Sequence, residues 1–145
     1  MENQLGWTTL TQSKKFIEAG LDSNTADMYY YKDQLCLIYR DLNYNNIFEL
    51  FDTDGVSGNL TPCWSLGALI GLMPKTIETK KPKNLYFPEI FPASNGVAYT
   101  ALDESKEMTF LKMFTTGTES NATLMDNMVS MVCWLLENNY IKREE

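Results

Sequence analysis

Apolar side chains at Leu66, Leu69, Ile70 and Met73 follow the i, i+3, i+4, i+7 spacing of one helix face, just after Thr61-Pro62, and Pro74 ends the pattern. Threonine caps helices, and a proline in the first turn gives up only an N–H that has no partner, so a helix is predicted over 61–73. Its other side carries Cys63, Gly67 and Gly71, a strip of small residues that predicts close approach of a second backbone. Met125, Met128, Val129, Val132, Leu135 and Leu136 predict a longer helix over 120–138, capped by Ser120 or Asn121. A third helix begins at the capping box Thr9-Leu10-Thr11-Gln12, carries Leu10 and Ile17 on one side, and ends at Gly20, which tolerates the left-handed conformation past a helix end.

Elsewhere the pattern is that of strands. Met28-Tyr29-Tyr30-Tyr31 and Cys36-Leu37-Ile38-Tyr39 predict a short aromatic hairpin around residues 32–35. Leu85 to Phe91, Val97 to Leu102 and Met108 to Thr115 predict a three-stranded antiparallel sheet, with Asn95-Gly96 as the first turn. Pro88 cannot donate to a ladder, so the first of these strands should be at an edge or bulged there. Two loops complete the chain: a flexible one over about 41–60, rich in asparagine, aspartate and glycine, and a lysine-rich one over about 75–84. The expected fold class is α+β: a three-stranded antiparallel sheet packed against two main helices, with the amino-terminal helix and aromatic hairpin extending one globular domain over 1–145.

Composition narrows the chemistry. At 145 residues and 44% hydrophobic, the chain is of a size to bury a single core. It has no histidine, which removes Ser-His and Cys-His nucleophile pairs and Cys/His zinc sites. The net charge of −7 repels phosphate backbones at long range. Three scattered cysteines, Cys36, Cys63 and Cys133, fit a reduced, cytoplasmic chain. The first residues, Met1 to Trp7, lack a signal-peptide pattern, and the strongly apolar run 64–73 is about half of a membrane span, so neither secretion nor membrane insertion is expected. Asn121-Ala122-Thr123 fits a glycosylation sequon, and without a secretory route it reads as a helix start.

Three stretches carry a family resemblance: Thr11-Gln12-Ser13-Lys14-Lys15-Phe16-Ile17-Glu18-Ala19-Gly20-Leu21, Pro62-Cys63-Trp64-Ser65-Leu66-Gly67-Ala68-Leu69 and Met131-Val132-Cys133-Trp134-Leu135-Leu136-Glu137-Asn138-Asn139-Tyr140-Ile141. In this order they resemble uncharacterised small proteins encoded in phage and prophage regions of gut bacteria. The resemblance spans most of the chain except 41–59. It implies a mobile-element setting in a bacterial host cytoplasm and assigns no activity, cofactor or site residue.

Four features are candidates for function. Cys63, read as lying at a helix amino terminus, is the best nucleophile, since the helix dipole favours thiolate there; against this, it has no histidine base and shares the small-residue strip. Asp52-Thr53-Asp54-Gly55 starts like a calcium loop, but the required glycine at position six and glutamate at position twelve are missing, so it reads as a solvated turn. Lys75, Lys80, Lys81 and Lys83 put four of the 12 basic residues within nine positions; with Glu78 this segment carries +3 and the rest −10. Lys80, Lys81 and Lys83 are thus candidate phosphate contacts beside aromatic strands, or simply a soluble turn. Tyr29, Tyr30 and Tyr31 are consecutive, so in a strand at least one faces away from the core, a candidate partner contact.

The expected function is a non-enzymatic phage or mobile-element accessory protein acting through contacts with a host or phage protein or with copies of itself, with no cofactor and no metal. The alternatives are a single-stranded nucleic-acid binder using the lysine-rich loop and sheet aromatics, or a small enzyme using Cys63.

Overall fold

The computed structural model describes residues 6–31, 34–37, 60–81, 83–102, 105–116 and 122–143. Its elements are α1 (Leu10–Ala19), β1 (Met28–Tyr31), β2 (Gln34–Leu37), β3 (Leu60–Cys63), α2 (Leu66–Leu72), β4 (Ile77–Lys80), β5 (Lys83–Phe91), β6 (Gly96–Leu102), β7 (Met108–Phe114) and α3 (Leu124–Glu137), with short 3-10 turns at Ser23–Thr25 and Pro92–Ser94. The fold class is α+β, with two antiparallel sheets of order β2-β1-β3 and β4-β5-β6-β7. Contacts gather the chain into two units, Leu5–Gly71 with Arg143, and Leu72–Lys142.

In the first unit, α1 starts as its sequence predicts: Thr9 Oγ1 accepts from the Gln12 N–H at 3.1 Å and Gln12 Oε1 accepts from the Thr9 N–H at 2.9 Å. It ends at Gly20, at φ +92°, with the Leu21 N–H reaching back to the Phe16 carbonyl. A side chain at Gly20 would meet Arg143 Cβ at 3.1 Å, so glycine serves both the turn and the close approach. The buried side of α1 carries Ser13 and Phe16, whereas Ile17 is exposed.

The aromatic hairpin forms with its second strand two residues earlier than expected. β2 begins at Gln34, so two residues join the strands, and Tyr29 faces Cys36 while Tyr31 faces Gln34. Thr61-Pro62-Cys63 is strand, not the start of a helix. It pairs with the other side of β1, Pro62 opposite Tyr29 and Cys63 opposite Met28. Proline fits there because β3 is an edge strand. The helix that follows is correspondingly shorter, and Ser65 holds its first turn by accepting from the Ala68 N–H at 3.1 Å. The strip of Cys63, Gly67 and Gly71 therefore does not exist as one helix face. Gly67 and Gly71 are exposed, and a side chain at Gly71 would meet nothing within 4 Å.

In the second unit, the lysine-rich stretch is a hairpin rather than a loop. β4 alternates a buried Ile77 with exposed Glu78 and Lys80, the strand period, and pairs with the start of β5 so that Lys80 faces Lys83. The expected three-stranded sheet is thus four-stranded. β5 changes neighbour along its length: Lys83 to Tyr86 pair with β4, and Phe87 to Phe91 pair with β6. Pro88 lies in the second stretch, whose β4 side has no ladder partner among the described residues, as an edge proline requires.

Helix α3 packs across β6 and β7. Its cap is Thr123, whose Oγ1 accepts from the Asp126 N–H while Asp126 returns a bond to the Thr123 N–H. The expected caps, Ser120 and Asn121, lie outside the described residues. Buried Asn127 donates to the Asn95 carbonyl at 2.8 Å and Thr116 Oγ1 at 3.1 Å, fixing the helix start to the β5–β6 turn and the end of β7. Apart from Leu60, the 41–60 loop and its Asp52-Thr53-Asp54-Gly55 turn also lie outside the described residues.

Candidate functional site

Cys63 anchors a buried polar cluster that joins β3, α1 and β1. Thr8 is its hub. Thr8 Oγ1 donates to Cys63 Sγ at 3.5 Å and accepts from the Trp64 N–H at 3.1 Å. A hydroxyl has one proton, so Ser13, 2.8 Å away, must be the donor in its bond to Thr8. The Cys63 thiol and the Tyr30 hydroxyl both donate to the Thr8 carbonyl, at 3.4 and 2.8 Å. Beside this cluster Asp27 accepts from the Ser65 N–H at 2.9 Å and from the Ser65 hydroxyl.

This arrangement quiets the cysteine. Cys63 is fully buried, and burial pushes its thiol above the usual value against the smaller opposing effect of its hydrogen bonds. Burial and the adjacent Cys63 also push Tyr30 up to about 12. A thiol held protonated and away from solvent is a poor nucleophile. In the folded protein at neutral pH, a thiol reagent should leave the Cys63 peptide unmodified, and labelling should follow only on unfolding; rapid stoichiometric labelling of native protein, read by peptide mass spectrometry, would contradict this assignment. Among the described residues Cys133 is also buried, and no group of three acidic or cysteine side chains could hold a metal ion.

The three tyrosines lie on β1, the central strand of its sheet, and all are half-buried. Tyr30 turns its hydroxyl into the Thr8 cluster. Lys80, Lys81 and Lys83 are exposed at the end of the β4–β5 hairpin. The tyrosines belong to the other unit.

Among the described residues, exposed large apolar side chains gather on the face of the four-stranded sheet defined by Leu85. Strand alternation and register put Leu85 and Phe87 of β5, Thr100 and Leu102 of β6, and Met108 and Phe110 of β7 on this face. A bulge at Tyr99/Thr100 gives β7 one extra residue, so Met113, opposite Ala98, joins the same face. Its large apolar side chains are exposed, from 42% at Met113 to 67% at Leu102. A groove of about 400 Å³ runs between Leu85, Phe87, Thr100, Leu102 and Met108, with Glu89 at its rim. Lys83 and Lys80 close the opposite end of the face.

Sequence reasoning packed this sheet against two helices, invoked its aromatics only for base stacking, and named no residue of its second face. The signal is in the residues: β5 is apolar at Leu85 and Phe87 and again at Tyr86 and Ile90, and β7 at Met108 and Phe110 and again at Leu111 and Phe114. An antiparallel sheet with one wet face alternates apolar and polar, and these strands do not.

Among the described residues no helix is long and apolar enough to cross a membrane. No family model, curated protein or solved structure matches the chain.

Proposed function

We propose that this protein is a non-enzymatic accessory protein of the phage or mobile-element kind, acting by protein contact through the open face of its four-stranded sheet. One observation carries the reading: Leu85, Phe87, Leu102, Met108, Phe110 and Met113 stand exposed on one continuous face. A contiguous apolar patch of this size marks an interaction surface rather than ordinary solvent-facing protein. The mobile-element setting comes from the sequence resemblance.

A second reading has one observation in its favour. Phe87 and Phe110 flank Thr100 from the two neighbouring strands, about 10 Å apart, with Lys80 and Lys83 at the end of the same face, a layout on which bases of a single strand could stack. Glu78 and Glu89 on that face, and the net charge of −7, oppose it.

The test replaces Phe87 with a photo-reactive phenylalanine analogue, with Lys81 and Tyr31 as comparison positions, and irradiates bacterial cells expressing the chain. A protein adduct at position 87 and none at Lys81 is the expected result. A nuclease-sensitive adduct would establish the second reading instead. Adducts at Tyr31 and none at position 87 would move the contact to the aromatic hairpin and overturn the assignment to this face.

A further inference from the structure

We infer that the partner on the open sheet face is a second copy of this chain, packed face to face about a two-fold axis that crosses the strands at right angles between the levels of Leu85 and Phe87. The inference rests on the reading of that face as a protein contact and names its occupant.

The argument begins with the outward positions of β5. In order they are Lys83, Leu85, Phe87 and Glu89, cationic, apolar, apolar and anionic. Lys83 and Glu89 are both exposed. A two-fold axis at the middle of this series lays β5 on the β5 of the other copy in reverse. Leu85 then meets Phe87 of the second copy, and Lys83 meets its Glu89. The pairing occurs twice, because an isologous interface repeats every contact.

The neighbouring strands fit the same operation. Leu102 faces Met108, and Thr100 faces Phe110. Antiparallel register carries these rows on to β5, with Phe87 opposite Thr100 and Leu102 at the level of Leu85. The row of Leu85, Leu102 and Met108 therefore lies on the row of Phe87, Thr100 and Phe110 of the second copy. Thr100, recessed between its two phenylalanines, receives Leu102, the most exposed apolar side chain of the face. Aligned face-to-face packing of two sheets is a standard arrangement, with strands within about 30°.

Size agrees as well. Large apolar side chains present about 150–250 Å² each, so the six here, roughly half exposed, offer about 400–700 Å² per copy. Two copies would bury about 800–1,400 Å², reaching the range of specific interfaces. Pairs such as Lys83 with Glu89 at the rim add little affinity, and they set register by penalising like-charge alternatives.

Sedimentation equilibrium from low to high micromolar protein provides the test, with circular dichroism as a check on folding. The protein should be a reversible dimer. Lys83→Glu, which sets carboxylate against carboxylate at two places, should raise its dissociation constant at least about tenfold, and so should Glu89→Lys. The double exchange Lys83→Glu with Glu89→Lys should restore wild-type association. A monomer at every concentration would overturn the inference, as would a dimer indifferent to the single reversals or one that the double exchange does not rescue. The photo-adduct at position 87 separates the two levels: an adduct with a different protein, from a chain that stays monomeric, refutes the self-association and leaves the contact surface standing, whereas no adduct refutes both.

Discussion

Replacing Trp64 by alanine should destabilise the amino-terminal unit by about 3–5 kcal/mol, the range for removing a large buried aromatic. Trp64 is fully buried, and its ring meets Phe16 edge to face at a centroid distance of 5.3 Å and an interplanar angle of 87°. Its indole N–H donates to Thr25 Oγ1 at 2.9 Å, so the side chain ties α1 to the turn before β1. Alanine would leave a cavity and an unfilled acceptor where α1 meets the end of β3. Native proteins hold only about 5–15 kcal/mol in total, so this loss should bring the unit near unfolding at room temperature. Urea denaturation followed by circular dichroism measures it, and Trp64→Phe should recover part of the loss by restoring a ring against Phe16. A midpoint shift equivalent to less than about 1 kcal/mol for the alanine variant would show that this packing does not hold the unit together.

The substitution Thr8→Val should cost about 2–4 kcal/mol although it preserves shape, because it removes the acceptor of two buried donors. The Trp64 N–H and the Ser13 hydroxyl both donate to Thr8 Oγ1, and both Thr8 and Ser13 are fully buried. Neither donor has water to turn to. The opposite choice, Thr8→Ser, keeps the hydroxyl and loses one methyl group, and should cost about 1 kcal/mol. The contrast between the two variants is the measurement, since a purely steric role for Thr8 would reverse their order. Among the described residues every buried side-chain nitrogen or oxygen has a partner, so Thr8→Val would introduce a defect the native unit lacks.

The parts of this fold that were legible in the sequence are those decided within a few residues. The Thr9 capping box, the Gly20 stop and the periodicity of α3 rest on local hydrogen bonds or on one helix face, and all three occur as read, whereas the Asn95-Gly96 signal marks the right place but the turn is Pro92 to Asn95 and Gly96 already belongs to β6. Thr61-Pro62-Cys63 failed because its local signal, threonine then proline, suits a helix start and an edge strand equally. The choice is made by Met28 to Tyr31, more than thirty positions earlier, which need a second strand neighbour. The cap of α3 failed differently: Thr123 and Asp126 form a capping box in plain view, and the earlier Ser120 and Asn121 competed with it. The candidate site was the least legible. Its face depends on which side of the sheet α3 covers, and apolar residues on both sides of β5 and β7 leave that to tertiary packing.

The change of neighbour along β5 bears on how copies of this protein can associate. From Phe87 to Phe91 the strand has β6 on one side and, among the described residues, no ladder partner on the other, so a sheet edge runs directly beside an apolar face. An edge of that kind is a template for adding strands from other molecules, and a ribbon extended in this way has no natural end. Pro88 sits one residue into the open stretch, and since prolines are placed in sheets where the missing N–H faces the open side, the row of donors that an incoming strand would have to match is interrupted there. Growth sideways is thereby discouraged at the place where the apolar face would most encourage it, and a closed pair is favoured over a fibre.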